Sequence, residues 1–259
     1  MRTSLIGFAN RYPLTLGLER GEVDHPFETV VGTPREIARG WKKGLFDAGL
    51  LSVGALLDMP YAQPLMGWGI SARGPVMSVG VFSDRPWSAL GRHPIRNLSS
   101  GVTTPLLLRV LWEKAFGREP NLLSPGDPRK APSVLAIGDQ ALRWREEGRF
   151  PFFEDLGTRW ATETGTAMPF AFWCLRDRSD AHARAGEVEE ALWASWEWGQ
   201  SNPSDVAKAI ESVAGVGPRI VKQYLKSYQV KLAGEEEDGW HHFKEAASPI
   251  LRRIAKRKG

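Results

Sequence analysis

Two long apolar stretches, Pro75–Ser83 and Phe170–Leu175, constrain the fold of this chain more than any other feature. Each has the pattern of a buried strand, and the segment between them has strand and helix signals of its own. The sequence therefore predicts a two-lobed α/β protein, with residues 1–83 and 176–259 in the first lobe and 84–175 in the second. The two crossings would form a hinge, and the cleft between the lobes is the default ligand site.

The flanking segments indicate how the first lobe is built. Leu5–Ala9 and Ala48–Ser52 have the pattern of buried strands, and between them a β-branched strand, Glu28–Val31, leads into Thr33-Pro34-Arg35-Glu36. That helix start combines a capping box with a proline at the first helical position. Alternation of strand, helix and strand predicts a parallel sheet with crossover helices. The remainder predicts a helical C-terminal region, with helices over 181–198, 204–213, 218–232 and 240–256.

A polar loop, Ser99–Thr104, runs directly into an apolar helix. Thr104 suits the N-cap position and Pro105 the first helical position. The start of such a helix presents unpaired N–H groups and a partial positive charge, so it can bind an anion without Lys or Arg. Thr33 and Asp139 predict two further capped helix starts, which would face the same cleft. An ordinary capped helix without a ligand also accounts for the Ser99–Thr104 pattern.

Composition restricts the classes of function. The chain has 259 residues, 42% of them hydrophobic and 25% charged, and its formal charge of +4 is a weak sign of a polyanionic partner. The one cysteine, Cys174, excludes an internal disulfide and a multi-cysteine metal site, and its apolar strand favours a small hydrophobe over a nucleophile. No apolar run is long enough for a signal peptide or a membrane span, so a cytoplasmic protein with no membrane partner is expected.

The sequence has no motif for a nucleotide or metal, so neither a cofactor nor a metal is predicted. The histidines lack metal-ligand spacing and are expected in structural or solvated roles: His25, His93, His182, His241 and His242. Ala209–Val221 is similar to the hairpin of helix-hairpin-helix modules, whose turn holds a DNA phosphate through backbone N–H groups. A tight turn between two helices explains the same residues. Because no basic and aromatic surface surrounds the turn, no nucleic-acid partner is predicted.

Short motifs in a fixed order extend over nearly the whole chain. They are Asn10 with Pro13-Leu14, Pro34, Gly44, Asp47–Ser52, Gly74–Val79, Phe82-Ser83, Thr103-Thr104, Leu107–Leu111, Ile137–Leu142, Asp155–Gly157, Trp160, Thr164-Gly165 and Phe170–Trp173. In this order they resemble chorismate dehydratase, the first enzyme of the futalosine route to menaquinone. The resemblance implies a cytoplasmic enzyme with the two-lobed periplasmic-binding-protein type II fold.

The resemblance also implies a reaction and its site. The enzyme would be a carbon–oxygen lyase that removes water from chorismate to give 3-[(1-carboxyvinyl)oxy]benzoate. Asn10 is the implied catalytic residue, which orients the leaving hydroxyl while a substrate carboxylate helps to move the proton. The predicted substrate-binding residues are Ser52, Ser71, Gly74, Ser78, Ser100, Thr103, Thr104, Gly138 and Asp139. For Asp139, capping of its own helix is a sufficient role.

The chain departs from the family pattern at several positions, and two other functions stay open. Gly101-Val102 stands where members often have Ser-Arg, Ala55 stands where they usually have an acidic residue, and Ala9 and Arg11 flank Asn10 atypically. One alternative is the sister enzyme that forms 1,4-dihydroxy-6-naphthoate with a histidine in the second lobe, where this chain has only His93. The other is a non-catalytic protein that binds a small carboxylate, because the fold is shared with solute receptors.

Overall fold

The computed structural model describes residues 1–127, 131–177 and 183–257, which form two β-sheets surrounded by helices. The strands are β1 Arg2–Ile6, β2 Glu28–Gly32, β3 Ala48–Ser52, β4 Ala62–Ala72, β5 Val79–Ser83, β6 Ile95–Asn97, β7 Leu122–Leu123, β8 Ser133–Ile137, β9 Phe152–Asp155, β10 Met168–Arg176 and β11 Gln229–Lys231. The helices are α1 Tyr12–Glu19, α2 Pro34–Lys42, α3 Val53–Leu56, α4 Thr103–Phe116, α5 Asp139–Glu146, α6 Leu156–Thr164, α7 Ala185–Ser201, α8 Pro203–Ala214, α9 Pro218–Tyr224 and α10 Glu235–Lys256, with 3-10 turns at Ala9–Arg11 and Trp87–Ala89.

The first sheet has six strands in the order β11, β4, β10, β3, β1, β2, and we call it, with its helices, the first lobe. β1 runs parallel to β2 and β3, as the sequence predicts, whereas β10 is antiparallel to β3 and β4. The predicted capping box of α2 is confirmed, since Glu36 N–H donates to Thr33 Oγ1 and Thr33 N–H donates to Glu36 Oε2. Trp41 of the same helix is fully buried and donates from Nε1 to Ser4 Oγ at 2.8 Å. The cap and this buried face therefore fix α2 against β1.

The second sheet has five strands in the order β7, β6, β8, β5, β9, and we call it, with its helices, the second lobe. β5 is antiparallel to β8 and β9, while β6 is parallel to β7 and β8. All residues of β5 are buried. A strand that is covered on both faces does not need to alternate apolar and polar residues, which explains the uniform pattern of Val79–Ser83.

The chain passes from the first sheet to the second between β4 and β5 and returns between β9 and β10. Val79–Ser83, which the sequence assigned to the first lobe, therefore pairs in the second sheet. Met168–Arg176, which it assigned to the second lobe up to residue 175, pairs in the first sheet. The apolar pattern indicates that a strand is buried, but it contains no information about which sheet the strand joins.

Asp155 connects the two crossings. It caps α6 by accepting hydrogen bonds from the backbone N–H groups of the first turn, including Gly157 at 2.9 Å. The same carboxylate accepts from Val76 N–H at 3.1 Å and from Met77 N–H at 2.7 Å. Met77 has a φ of 64°, in the left-handed region that non-glycine residues rarely adopt. A carboxylate on the returning chain thus stabilises the unusual turn on the outgoing chain.

The C-terminal helices contact both lobes. α7 packs on α1, whereas α8 lies against α5, where Arg143 Nη1 donates to Ala214 O at 2.7 Å. α10 contacts β10 and also α4, and its Arg253 forms an ion pair with Glu113. None of the helices in the described ranges is both long enough and apolar enough to cross a membrane.

The bounds of all four predicted C-terminal helices differ from the observed ones: 204–213 becomes Pro203–Ala214 and 240–256 becomes Glu235–Lys256. The helix predicted over 218–232 ends at Tyr224, and Gln229–Lys231 form β11 instead. These residues pair with β4, whose edge offers unpaired backbone N–H and C=O groups. The helix was predicted from local residue preferences, which contain no information about such a distant partner. Residues 181–182, at the start of the helix predicted over 181–198, lie outside the described residues.

Candidate active site

A cavity lies between the two sheets and is lined from both lobes. Its volume is about 60 Å³, which holds only a few water molecules, so the lobes have to separate to admit a small-molecule ligand. The lining residues are Ile6, Phe8, Asn10, Pro34, Ser52, Ile70, Val76, Ser78, Val79, Gly101, Thr103, Thr104, Ile137, Gly138, Phe170 and Ala171.

The wall of this cavity is apolar with a few neutral polar groups. Its polar side chains are those of Asn10, Ser52, Ser78, Thr103 and Thr104, and no charged side chain occurs among these lining residues. The 14-residue helix α4 begins at the wall, so its first N–H groups and its dipole produce a partial positive charge there. Hydroxyls and backbone N–H groups are therefore available to bind a carboxylate.

The start of α4 differs from the prediction. The helix begins at Thr103 with Val102 in the N-cap position, so Thr104 is not the cap and Pro105 is the third helical residue. No side chain in the described part of the protein caps this helix. Thr103 Oγ1 instead accepts a hydrogen bond from Gly54 N–H, in α3 of the first lobe, at 2.8 Å. The helix start therefore joins the two lobes, through a partner that the local sequence does not indicate.

The start of α5 forms a second bond across the cleft. Gly138 is in the N-cap position with a φ of 65°, and Asp139 is the first helical residue, so the predicted cap by Asp139 is wrong. Asp139 Oδ1 accepts a hydrogen bond from Ala9 N–H in the first lobe at 3.1 Å. Burial raises the pKa of the Asp139 carboxyl, and the Ala9 hydrogen bond opposes this shift. Asp139 thus lies beside the cavity and connects the lobes.

Both bonds depend on glycines that allow the lobes to approach closely. A Cβ atom on Gly54 would lie 2.6 Å from Thr103 N, and one on Gly138 would lie 2.5 Å from Phe8 Cδ1. Real Cβ atoms do not come this close to other heavy atoms. The two lobes are therefore in direct contact on both sides of the cavity.

The structure brings together six of the ten predicted site residues in the cavity wall: Asn10, Ser52, Ser78, Thr103, Thr104 and Gly138. The remaining four do not line it: Ser71, Gly74, Ser100 and Asp139. The Ser71 hydroxyl donates to Met168 O at 3.3 Å within the first sheet, and Gly74 has a φ of 142° in the crossing before β5. Ser100 precedes Gly101, whose Cβ position is 3.1 Å from Pro34 Cβ. A serine at position 101 would therefore press on Pro34.

One residue beside the cavity was not predicted. The hydroxyl of Tyr224, in α9, donates to Ser78 Oγ at 3.0 Å, and the Asn10 side chain acts to lower the pKa of this phenol. Burial raises the pKa of the Tyr224 phenol, so the hydroxyl keeps its proton at neutral pH. Asn10 Oδ1 is buried and has no hydrogen-bond partner among the residues that the structure describes. In the sequence, Tyr224 is an apolar position of a helix and has no feature that separates it from a core tyrosine.

The glycine turn between α8 and α9 is engaged within the protein. Gly217 N–H donates to both carboxylate oxygens of Glu146 in α5, at 3.0 and 3.1 Å. The backbone group that would hold a phosphate in a DNA-binding hairpin thus attaches the C-terminal helices to the second lobe. This arrangement fits the tight turn that the sequence also allows.

In residues 1–127, 131–177 and 183–257, no three His, Cys, Asp or Glu side chains are arranged to hold a metal ion. His25 Nε2 hydrogen-bonds Leu18 O at 3.0 Å, and His93 Nε2 lies 2.7 Å from an Arg85 nitrogen. His182 lies outside the described residues. Cys174 is fully buried, and burial raises the pKa of its thiol well above the ordinary value, as expected of a small hydrophobe.

Comparison with known proteins identifies the family. A family model described as menaquinone biosynthesis matches residues 1–249 of the chain. The chain belongs to this family. The protein therefore has a role in menaquinone biosynthesis, and the family agrees with the resemblance of the ordered motifs.

Solved structures confirm the predicted fold of this family member. Protein AF1704 from Archaeoglobus fulgidus aligns with a TM-score of 0.77 and 17% identity, over 96% of this chain and 97% of that one. The periplasmic aliphatic sulphonate binding protein SsuA from Escherichia coli aligns with a TM-score of 0.67 and 14% identity, over 98% and 87%. The alkanesulfonate-binding SsuA from Xanthomonas axonopodis pv. citri, bound to MOPS, aligns with a TM-score of 0.63 and 16% identity, over 88% and 86%. The fold is thus that of periplasmic binding proteins.

Proposed function

We propose that this protein is a chorismate dehydratase, which removes water from chorismate to give 3-[(1-carboxyvinyl)oxy]benzoate at the first step of the futalosine route. The main support is the uncharged cavity, which places Asn10 and Ser78 beside the start of α4 in a member of the menaquinone biosynthesis family. The ordered motifs of the sequence support the same reaction. The proposal includes a cytoplasmic location and no nucleic-acid partner.

The two carboxylates of chorismate need donors, and the helix starts supply them. Thr103 Oγ1 accepts from Gly54 N–H, so the proton of the Thr103 hydroxyl stays available for a ligand oxygen. The Thr104 hydroxyl lies at the same wall, next to the first N–H groups of α4. Donors of this kind bind a carboxylate without a buried cation, and they leave the cavity neutral for the apolar ring.

In the proposed reaction the ring hydroxyl leaves and the neighbouring ring carbon loses its hydrogen. The C–O and C–H bonds break, a ring double bond forms, and hydroxyl and proton depart together as water. Asn10 Oδ1 is a buried acceptor without a protein partner in the described residues, which suits it to orient the leaving hydroxyl. No carboxylate or imidazole occurs among the described residues that line the cavity, and in this proposal a carboxylate of the substrate takes the ring proton. Contact between the lobes excludes water and fixes the geometry.

Two alternatives compete with this proposal. The sister enzyme that forms 1,4-dihydroxy-6-naphthoate uses a histidine, but no histidine occurs among the lining residues, and His93 lies against Arg85. A non-catalytic carboxylate-binding protein is the second alternative. It is favoured by the fold, which two sulphonate-binding proteins share.

Incubation of the purified protein with chorismate separates these functions. We expect a product lighter by one water in mass spectrometry, with new aromatic protons in the NMR spectrum. Asn10→Ala is expected to lower kcat by about 100-fold, the scale measured for a polar group that acts on the reacting atoms. Asn121→Ala, on the exposed surface, is the matched control and is expected to keep full activity. Binding of chorismate without loss of water would support the receptor, and a lack of any binding would contradict both functions.

A further inference from the structure

Tyr224 and Ser78 form a buried pair at the wall of the cavity. Tyr224 is 0% and Ser78 is 1% exposed, and the tyrosine hydroxyl donates to Ser78 Oγ at 3.0 Å. The main chain of Ser78 is held as well, since its N–H donates to Val76 O at 2.8 Å and its carbonyl accepts from Gly138 N–H at 2.7 Å. These bonds hold the main chain of Ser78 in place. The remaining freedom is the direction in which its hydroxyl proton points.

The inventory of protons decides that direction. A serine hydroxyl has one proton to donate and two lone pairs that accept. Tyr224 occupies one lone pair of Ser78 Oγ, so the Ser78 proton has to point away from Tyr224. Ser78 is also one of the residues that line the cavity.

We propose that Tyr224 is a positioning residue that holds the Ser78 hydroxyl as a hydrogen-bond donor toward the ligand in the cavity. This inference rests on the proposed function, in which the accepting atom is an oxygen of chorismate. No proton is transferred by the pair, since Ser78 and Tyr224 keep their protons throughout the elimination. Without the tyrosine hydroxyl, the Ser78 proton is free to rotate among its staggered positions, and the bond to the ligand is present only part of the time.

Tyr228 provides a matched control for this proposal. Its ring centroid lies 4.8 Å from that of Tyr224, and both residues are buried. The Tyr228 hydroxyl has no hydrogen-bond partner in the described parts of the chain. Tyr228→Phe therefore removes a buried hydroxyl that bonds nothing, whereas Tyr224→Phe removes the donor to Ser78.

The test compares kcat and KM on chorismate for the wild type, Tyr224→Phe, Ser78→Ala, the double variant and Tyr228→Phe. For Tyr224→Phe we expect KM to rise about tenfold, which corresponds to one hydrogen bond to the bound substrate, with kcat changed by less than about twofold. Tyr228→Phe is expected within about twofold of the wild type. In the Ser78→Ala background, Tyr224→Phe should have no further effect. Replacement of Tyr224 by 3-fluorotyrosine, which keeps the hydroxyl, should retain turnover and shows that the ring position is intact.

Equal losses from Tyr224→Phe in the presence and absence of the Ser78 hydroxyl, or an equal loss from Tyr228→Phe, would overturn the proposal. If the wild type does not convert chorismate, the proposed function fails separately. The same proteins are then compared by calorimetry for binding of benzene-1,3-dicarboxylate. The positioning role is supported if Tyr224→Phe weakens binding of this dicarboxylate in the protein that has Ser78 but not in the Ser78→Ala background. The positioning role is overturned if the losses of affinity from Tyr224→Phe and Ser78→Ala add in the double variant, or if none of the proteins binds the dicarboxylate.

Discussion

The two edges of the cleft have the same construction but a different charge. At each edge the first residue of a second-lobe helix accepts a hydrogen bond from a backbone N–H of the first lobe. Thr103 of α4 accepts from Gly54 N–H at 2.8 Å, and Asp139 of α5 accepts from Ala9 N–H at 3.1 Å. One acceptor is a neutral hydroxyl, and the other is a carboxyl whose pKa is raised by burial.

This difference shows that only one edge of the cleft depends on pH. The Thr103 hydroxyl does not titrate in the range where proteins are stable, so its bond to Gly54 N–H is constant. The Asp139 carboxylate gains from the positive end of the α5 dipole but loses more by burial, since desolvation is the larger influence on its pKa. The neutral edge, at Thr103, adjoins the cavity wall, where a carboxylate of the ligand would be bound.

The largest effect is expected from Gly54→Ala, which forces the neutral edge of the cleft apart. Gly54→Ala places a Cβ atom 2.6 Å from Thr103 N, so the lobes have to separate. We expect kcat/KM on chorismate to fall by more than about 100-fold, since the reacting groups lose their alignment. Gly186→Ala is the matched control, because its Cβ would meet no atom within 4 Å, and helix propensity makes alanine about 1 kcal/mol more favourable there. Full activity of Gly54→Ala would contradict the tight contact.

A smaller effect is expected from the Thr103 hydroxyl itself. Thr103→Val keeps the shape of the side chain but leaves Gly54 N–H buried without its acceptor. The free energy of unfolding, measured by urea denaturation, should fall by roughly 1–3 kcal/mol. Thr103→Ser keeps the acceptor and should lose less than about 1 kcal/mol. Equal losses for both variants would show that the methyl group, and not the hydrogen bond, stabilises this edge.

The smallest expected effect is the pH dependence at the charged edge. Because the pKa of Asp139 is raised in the folded protein, folding favours the protonated carboxyl, and stability falls as the pH rises from the ordinary value of about 3.9 through the raised value. Asp139→Asn keeps an acceptor for Ala9 N–H but does not ionise. The stability of the variant relative to the wild type should therefore increase with pH across this window and be constant above it.

The exposed carboxyl of Asp84 is expected to give a pH dependence of stability with the opposite sign. The pKa of Asp84 is lowered, chiefly by the hydrogen bond from Arg85, so its contribution to stability is lost as the pH falls. Asp84→Asn should therefore lose stability relative to the wild type as the pH rises through this lowered range. If Asp139→Asn showed the same trend as Asp84→Asn, the desolvation of Asp139 would be refuted.

Much of the fold follows from local patterns. The capping box of α2 was predicted because its two partners, Thr33 and Glu36, lie within one helical turn. The buried strands β5 and β10 were predicted because continuous apolar residues indicate burial. The sheet that each of these strands joins was not predicted, since strand pairing depends on contacts between segments that are distant in the chain. The same limit explains β11, which forms where helix was predicted.

Residue types and their order indicate the chemical character of the site, namely hydroxyls, an asparagine and helix starts without a cation, and they also indicate the family. The group that each of these side chains bonds follows from the packing of distant segments. Thr103 meets Gly54 over 49 residues, Asp139 meets Ala9 over 130, and Tyr224 meets Ser78 over 146. Residue types and spacing express local propensity, whereas a hydrogen bond needs two atoms to lie within about 3 Å, which only the packed chain specifies.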